Sequence, residues 1–343
     1  MKKKILVTGG TGYIGSHTTV ELLENGFDVV IIDNLYNSEA EVVDRIEKIT
    51  GIKPALEVFD LCDSEKLDAF CRKNNDIAAV IHFAAYKAVG ESVNKPLEYY
   101  RNNLLSLVNL LVAMKKNGIP NLVFSSSCTV YGQPEKLPVT EDSPLMPSLT
   151  PYGNSKQIGE RIISDAAAAN ENMNAISLRY FNPIGAHPSA IIGELPRGVP
   201  ENLVPYITQT AIGLRKELLV FGDDYNTPDG SCIRDYLHVC DLAKAHSAAL
   251  SRLLERKNKK RYEVFNLGTG KGVSVLEAIR SFEKVSGVKL NYRITGRREG
   301  DIEKIWADPS LANNELGWKT VYSLDDAMRT AWEWEKSLKQ DKR

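Results

Sequence analysis

Lys4-Ile5-Leu6-Val7-Thr8-Gly9-Gly10-Thr11-Gly12-Tyr13-Ile14-Gly15 decides the fold. A short apolar run stops at a glycine-rich turn, and an apolar pattern through Val20, Leu22 and Leu23 then continues until Asn25-Gly26. That order predicts strand, turn and helix. Glycines at 9, 12 and 15 permit a tight turn, close backbone approach to a pyrophosphate and close helix–strand packing, while the helix N-terminus offers free N–H groups to phosphate. The next strand, residues 28–32, ends in Asp33, about 20 residues beyond the loop, where a carboxylate can accept from a ribose 2′-hydroxyl and repel a 2′-phosphate. The expected cofactor is NAD rather than NADP.

The same alternation continues outward. A helix through Val42, Val43 and Ile46 precedes a strand at 55–59, a helix at 64–72 and a strand at 79–83. This predicts an α/β fold on a doubly wound parallel sheet, with its ligand crevice at the carboxyl ends of the strands. Asp60-Leu61 and Phe83-Ala84-Ala85 end strands at that edge, and Lys87 just beyond is placed to reach a cofactor hydroxyl. Pro96 opens a long helix to Asn117 whose apolar residues surround most of its circumference. So wide a face is buried on two sides, the outer one by another helix of this chain or by a second subunit.

The strand at 121–126 runs straight into Ser127, and a proline-rich loop ending at Pro151 delivers a helix with Tyr152 and Lys156 one turn apart on one face. A phenol titrates near about 10 in water, and a neighbouring ammonium favours the phenolate, which would suit proton transfer near neutrality. Ser127, Tyr152 and Lys156 thus form a candidate proton-relay group. After Asn182 the alternation breaks into loops rich in Pro, Gly and Asn, with a helix near 203–214 and short strands near Leu218 and Ile233. A helix at 241–256 and a strand at 262–267 read as a return to the sheet, followed by helices at 274–285 and 323–336 and a polar, frayed tail from Ser337 to Arg343. The expected division is a cofactor domain at 1–182, returning near 229–267, and a substrate domain at 183–228 and 268–343.

Composition narrows the partners. With 343 residues and 43% apolar content, the chain can bury a large core and a smaller second unit. Net charge is −1 and no long Lys/Arg block occurs, which argues for a small-molecule ligand over nucleic acid. Cys62, Cys71, Cys128, Cys232 and Cys240 are odd in number and scattered, as in a reducing cytoplasm. His17, His82, His187, His238 and His246 lack ligand spacing, so no metal is expected. The apolar run after Met1-Lys2-Lys3-Lys4 lasts three residues, which reads as a strand rather than an export signal, and no window of ~18 apolar residues predicts a membrane span.

The glycine loop, Asp33, Ser127 after the fifth strand and Tyr152-x-x-x-Lys156 together resemble the extended short-chain dehydrogenase/reductase superfamily. Longer strings narrow the resemblance: Phe83-Ala-Ala-Tyr-Lys-Ala-Val-Gly-Glu-Ser92, Arg179-Tyr-Phe-Asn-Pro183, Gly185-Ala-His-Pro188, Glu201-Asn-Leu-Val-Pro205, Arg234-Asp-Tyr-Leu-His-Val239 and Arg297-Arg-Glu-Gly-Asp301. From the first strand to beyond residue 300 the chain is similar to the UDP-glucose 4-epimerase family. The resemblance implies a Rossmann-type sheet with a smaller interleaved α/β substrate domain, a cytoplasmic homodimer, and interconversion of UDP-glucose and UDP-galactose through a 4-keto sugar and bound NADH. By that resemblance Tyr152 is the acid/base, Lys156 tunes it and bonds the nicotinamide ribose, and Ser127 bridges the sugar hydroxyl to Tyr152. Gly9, Gly12, Tyr13, Ile14, Gly15, Asp33, Asn34, Leu35, Asn37, Ser38, Asp60, Leu61, Phe83, Ala84, Ala85, Lys87, Asn102 and Phe181 join them around NAD. Tyr180, Asn182, Asn202, Leu203, Leu219, Phe221, Arg234, Arg298, Asp301 and Ile305 join Ser127 and Tyr152 around the UDP-sugar. Two arginines suit a diphosphate through charge-assisted hydrogen bonds, and an aromatic such as Phe221 suits uracil.

Three positions depart from the family's pattern: Ser106 stands where glycine is common, Cys128 where alanine is common, and Ile305 at the gate on sugar size. Tyrosine there often accompanies restriction to glucose and galactose, a small residue acceptance of N-acetyl sugars. Isoleucine is intermediate but β-branched and stiff, which favours exclusion of the acetamido group. Readings that stay open are a UDP-N-acetylglucosamine/UDP-N-acetylgalactosamine 4-epimerase, a nucleotide-sugar dehydratase and a non-catalytic NAD-binding protein. Against the dehydratase, Cys128 and Thr129 occupy the places where those enzymes carry an Asp-Glu pair. Against the non-catalytic protein, Ser127, Tyr152 and Lys156 are all present.

Overall fold

β1 (Lys4–Thr8), α1 (Tyr13–Glu24), β2 (Asp28–Asp33), α2 (Val42–Thr50), β3 (Ala55–Val58), α3 (Ser64–Lys73) and β4 (Ile77–His82) alternate in turn. A short α4 (Val89–Asn94) and the long α5 (Pro96–Lys116) lead to β5 (Asn121–Ser125), and the proline-rich loop to α6 (Pro151–Ala169) and β6 (Asn174–Tyr180). Beyond them come β7 (Asn182–Ile184), α7 (Leu203–Ala211), β8 (Leu218–Phe221), β9 (Ile233–Arg234), β10 (Tyr236–His238), α8 (Val239–Leu254) and β11 (Tyr262–Leu267). β12 (Val273–Ser274), α9 (Val275–Ser286), β13 (Tyr292–Thr295), α10 (Ser310–Glu315) and α11 (Leu324–Gln340) follow. The computed structural model describes residues 2–298 and 301–340; Met1, Glu299 and Gly300 of the strings quoted above lie outside them.

The main sheet runs β11-β6-β5-β4-β1-β2-β3, and every pairing in it is parallel. Its order reverses between β1 and β4, which opens a crevice at the carboxyl ends of those strands. Both faces are covered, so the central strands are apolar throughout. Ile5 and Val7 pack toward Val20, Leu23, Ile46, Leu242 and Leu250 on one side, whereas Leu6 joins Val80, Leu122, Leu67, Leu110 and Ile163 on the other.

A second core forms where the alternation fails. β7 pairs with β10, β8 with β13 and β9 with β12, around Ile184, Val204, Ile207, Val220, Tyr236, Ile279, Phe282 and Met328. Between these pieces the chain goes back to the main sheet, as α8 packs on α1 and β11 pairs with β6. α4, β7, β10, β12, β13 and α10 had no signal in the sequence. They are two to six residues long, too short for periodicity, and the strands among them are defined by partners distant in the chain. α8 starts earlier than its apolar pattern because the His238 ring accepts the Cys240 N–H at 3.0 Å as a cap.

The frayed tail is corrected in part. Residues 337–340 belong to α11, where the Ser337 hydroxyl donates to the carbonyls of Ala190 at 3.0 Å and Trp334 at 2.8 Å, while 341–343 lie outside the described residues. Among the described residues no helix is long and apolar enough to cross a membrane.

Gly15 carries the sharpest packing constraint at the β1–α1 turn: a Cβ there would stand 2.2 Å from the Gly9 carbonyl oxygen and 2.8 Å from Gly10 Cα. Backbone cannot swing away as a side chain can. Gly15→Ala is expected to destabilise the chain by about 1–3 kcal/mol in denaturant melts and to lower its cofactor content on purification. Wild-type stability in that variant would show the contact to be relieved elsewhere.

Candidate active site

The crevice is built first by backbone. Gly9 adopts φ +72°, its N–H reaches the Ile32 carbonyl at 2.8 Å, and a Cβ would stand 2.7 Å from Ala84 N, so the ends of β1, β2 and β4 meet there without room for a side chain. Phe83 and Ala84 N–H groups both donate to Thr8 O, at 2.9 and 3.2 Å; Ala85 follows directly, and Lys87 beyond it pairs with Glu194 at 2.8 Å. Gly12 caps α1 with no side-chain hydrogen bond, unlike Asp63, Thr150, His238 and Ser274 at other helix starts. The first-turn N–H groups around Tyr13, Ile14 and Gly15 are therefore free of a side-chain acceptor, as a pyrophosphate site needs.

Asp33 lies 8% exposed at the end of β2 and accepts from the Thr11 N–H at 3.2 Å, the Leu35 N–H at 2.9 Å and the Ser38 hydroxyl at 3.1 Å. Leu35 turns the chain with φ 58°, and exposed Asn37 sits on the same loop. Asn34 bridges to Asp60 at 3.0 Å, and Asp60 also takes the Cys62 N–H at 2.8 Å. Burial opposes ionisation of Asp60, yet these bonds hold its carboxyl below the usual range. Leu61 is buried beside it, and Asn102 on α5 donates to Asn103 at 3.0 Å. Uncapped donors and a fixed carboxylate at adjoining strand ends fit a dinucleotide with free ribose hydroxyls.

Next to this cradle stand Ser127, Tyr152 and Lys156, all at most 8% exposed. Thr150 caps α6 by accepting the Gly153 N–H at 3.2 Å, so the helix starts with Pro151 and presents Tyr152 and Lys156 to the end of β5. Ser127 is near enough to Tyr152 to act on its phenol, and Lys156 Nζ donates to Ser125 O at 2.7 Å while lying 4.9 Å from the Phe124 ring centre and 5.9 Å from that of Tyr152. Burial lowers the Lys156 ammonium to about 8, with Glu160 opposing, and burial pushes the Tyr152 phenol well up, aided by Tyr180 and opposed by the nearby Ser127 hydroxyl. The expected lysine-favoured phenolate is thus corrected for the protein by itself. Desolvation is the leading cause of both shifts.

The opposite wall belongs to the second core. Arg298 meets Asp301 at 2.7 Å and lies 5.3 Å from the Phe221 ring centre, and Arg234 reaches the same carboxylate at 3.9 Å. Leu219 and Phe221 lie on β8, Asn182 on β7, and Asn202 and Leu203 at the start of α7. Ile305 is 2% exposed and packs with Phe181, Val130 and Cys128, while the Tyr180 hydroxyl bonds to Ser125 beside the triad. The structure thus places the residues expected around NAD mainly on the large sheet and its helices, and those expected around the UDP-sugar mainly on the second core.

Sequence reasoning missed the support beneath the triad. Glu160, one turn beyond Lys156, pairs with Arg179 of β6 at 2.6 Å, both side chains 6% exposed, and accepts from Ser126 at 2.6 Å. Arg179 also donates to Tyr131 at 3.0 Å, which bonds Asn266 of β11 at 2.6 Å. The four-residue spacing from Lys156 was the available signal for Glu160. Among the described residues, no group of three or more His, Cys, Asp or Glu side chains is placed to hold a metal ion, and all five cysteines are free.

Residues 5–268 match the NAD dependent epimerase/dehydratase family. The chain is 50% identical over 332 residues to the UDP-glucose 4-epimerase of Dictyostelium discoideum, which covers 97% of this chain and 95% of that one. Among solved structures it is similar to UDP-glucose-4-epimerase from Stenotrophomonas maltophila with bound NAD and formylated UDP-arabinopyranose, with TM-score 0.95, 48% identity and 99% of each chain covered. The Bifidobacterium longum UDP-glucose 4-epimerase in complex with NAD+ and UDP gives TM-score 0.93 and 47% identity over 97% of this chain and 98% of that one.

Removing the Glu160 charge leaves a buried guanidinium without its counter-ion and takes away the influence that holds Lys156 up. Glu160→Gln is expected to cost on the order of 3 kcal/mol in denaturant melts. It is also expected to move the Lys156 titration, followed by NMR of the labelled side chain, below about 8. An unmoved titration would separate Glu160 from the site.

Proposed function

Because the chain belongs to the NAD dependent epimerase/dehydratase family, and within it to the UDP-glucose 4-epimerases, we propose that this crevice interconverts UDP-glucose and UDP-galactose by inverting sugar carbon 4. The observation that carries the reading is the burial of Ser127, Tyr152 and Lys156 together, with the last two one helical turn apart, in a chain that also presents a dinucleotide cradle and a pair of arginines sharing one carboxylate. NAD, when bound, supplies a positively charged hydride acceptor that is regenerated within each turnover, so no net redox change occurs.

The chain's residues do the rest. Tyr152 removes the proton from the 4-hydroxyl and later returns it to the 4-keto sugar, with Ser127 bridging the sugar oxygen to the phenol. Lys156 holds the ribose side of the cofactor and places its ammonium beside the developing phenolate. Gly9, Gly12, Tyr13, Ile14 and Gly15 take the pyrophosphate, Asp33 to Ser38 and Asp60-Leu61 the adenosine end, and Phe83 to Lys87, Asn102 and Phe181 the remainder. Arg234 and Arg298 hold the substrate's diphosphate and Asp301 its ribose, with Phe221 against the base; Tyr180, Asn182, Asn202, Leu203 and Leu219 complete the wall. Inversion needs the diphosphate held while the keto-sugar turns over, and two guanidiniums anchored at one carboxylate support that division of labour.

Three further assignments belong to this reading. The cofactor domain comprises 1–182 with a return near 229–267, and the substrate domain 183–228 with 268–343. The protein is a homodimer, since Leu97, Leu105, Val108 and Val112 on α5 are exposed at 79%, 38%, 39% and 60% at helical spacing that gives them a common outer face. Five free thiols support a reducing, cytoplasmic setting.

Tyr152→Phe is expected to lower turnover by a factor on the order of 10²–10⁴ with an unchanged circular dichroism spectrum. Near-normal turnover would remove Tyr152 from its role. Purified protein incubated with UDP-galactose and no added cofactor is expected to yield UDP-glucose and to release NAD on denaturation. The stiff Ile305 beside Phe181 leads to the further expectation that UDP-galactose is preferred over its N-acetyl counterpart. Equal kcat/KM on both sugars would sink that assignment.

A further inference from the structure

Glu194 carries no motif, yet its side chain touches one residue from each wall of the crevice. The carboxylate is 11% exposed, and its Oε1 accepts from Lys87 Nζ at 2.8 Å and from Asn202 Nδ2 at 2.6 Å. Lys87 follows β4 on the cofactor side, and Asn202 is the residue just before α7, at its N-cap, on the nucleotide side. One oxygen therefore serves a donor from each half of the site.

The backbone that presents this oxygen is held at several points. Trp334 Nε1 of α11 donates to Glu194 O at 2.9 Å, and a Cβ on Gly193 would stand 2.4 Å from the same indole, so the segment is pressed onto α11. Upstream, the Tyr13 hydroxyl donates to Gly185 O at 2.6 Å. Downstream, Arg197 donates to the carbonyls of Tyr36 at 2.8 Å and Ser38 at 2.5 Å, in the loop that follows Asp33. Residues 185–197 are thus fastened to the cofactor side at both ends, by the Tyr13 hydroxyl and by the Tyr36 and Ser38 carbonyls, with Glu194 between.

We propose that Glu194 is a positioning residue that couples the two ligands by sharing one carboxylate oxygen between Lys87 and Asn202. This rests on the reading that Lys87 faces the cofactor and Asn202 the UDP-sugar. Two donors on one oxygen compete for its charge, so a lysine that turns to a cofactor hydroxyl alters the hold on Asn202, and a nucleotide that takes Asn202 alters the hold on Lys87. Linkage makes the effect reciprocal: whatever factor the cofactor side contributes to UDP affinity, UDP returns to the cofactor side.

A mutant box on the NAD-loaded enzyme tests this, with UDP as the titrated ligand and calorimetry as the readout. UDP dissociation constants are measured for the parent, Lys87→Met, Asn202→Ala and the double variant, and again with Glu194→Ala added to each. In the parent background the two substitutions are expected to depart from multiplicative behaviour by about threefold or more. With Glu194→Ala their effects are expected to multiply without a residual factor. Glu194→Gln, which keeps an acceptor oxygen but no charge for Lys87, is expected to fall between, and it provides the comparison if thermal melts show the alanine variant unfolded. A merely structural Glu194 would weaken UDP binding equally in every corner of the box. Coupling absent in the parent, or unchanged in both Glu194 variants, overturns the proposal. Should Asn202→Ala leave UDP affinity unaltered and Lys87→Met leave NAD retention unaltered, the assignment of those residues to the two ligands fails, and the coupling with it.

Discussion

The Arg179–Glu160 pair is the interaction on which the geometry of the crevice depends. Its carboxylate sits one turn beyond Lys156 on α6 and accepts from Ser126 beside Ser127, while its guanidinium rises from β6 two residues before Phe181. Helix, adjoining strand end and neighbouring strand are thereby set relative to one another from beneath the reacting groups. A buried pair of this kind contributes little to net stability, because desolvation offsets most of the attraction. Its physical value here is directional: a planar fork with two carboxylate bonds admits few arrangements of α6 over β5 and β6. Through Tyr131 and Asn266 the constraint extends to β11, and the Asn266 side chain donates to Val139 O at 3.1 Å in the proline-rich loop.

The two walls differ in how they are made. On the cofactor side, main-chain groups predominate, with glycines whose added Cβ atoms would strike neighbouring backbone, so the surface is rigid before any ligand arrives. On the nucleotide side, long side chains meet at Asp301, and Arg298 is about half-exposed. Under the proposed function, rigid backbone suits a cofactor whose position must be the same in both hydride transfers. Under the proposed function, adaptable arginines suit a substrate that enters, is held by its diphosphate and leaves.

Legibility in the sequence followed the same division. Gly9, Gly12, Gly15 and Asp33 were readable because a tight turn and a strand-end carboxylate impose residue types at fixed local spacing. Tyr152 and Lys156 were readable because one helical turn relates them. The nucleotide wall was reached only through longer resembling strings, since β8 pairs with β13 and β9 with β12 across stretches that no local pattern connects. Glu160 and Glu194 escaped for a related reason. Their meaning lies in Arg179, Lys87 and Asn202, and only the folded chain makes them neighbours.

The one electrostatic reading that changed sign is also the most informative. A tyrosine and a lysine one turn apart suggest a phenolate sustained by an ammonium, yet in the folded chain burial holds the phenol protonated and brings the ammonium down to about 8. Both charged forms are disfavoured for the same cause, removal from water. Since the Lys156 value is depressed, the unfolded chain binds more protons between about 8 and its ordinary value, and this residue's contribution to stability rises with pH across that window. The cost of keeping Lys156 charged is therefore carried by the fold at neutral pH. Because burial is the leading cause of both shifts, charged or hydrogen-bonding partners brought into contact with Tyr152 and Lys156 are the physical means of offsetting that cost.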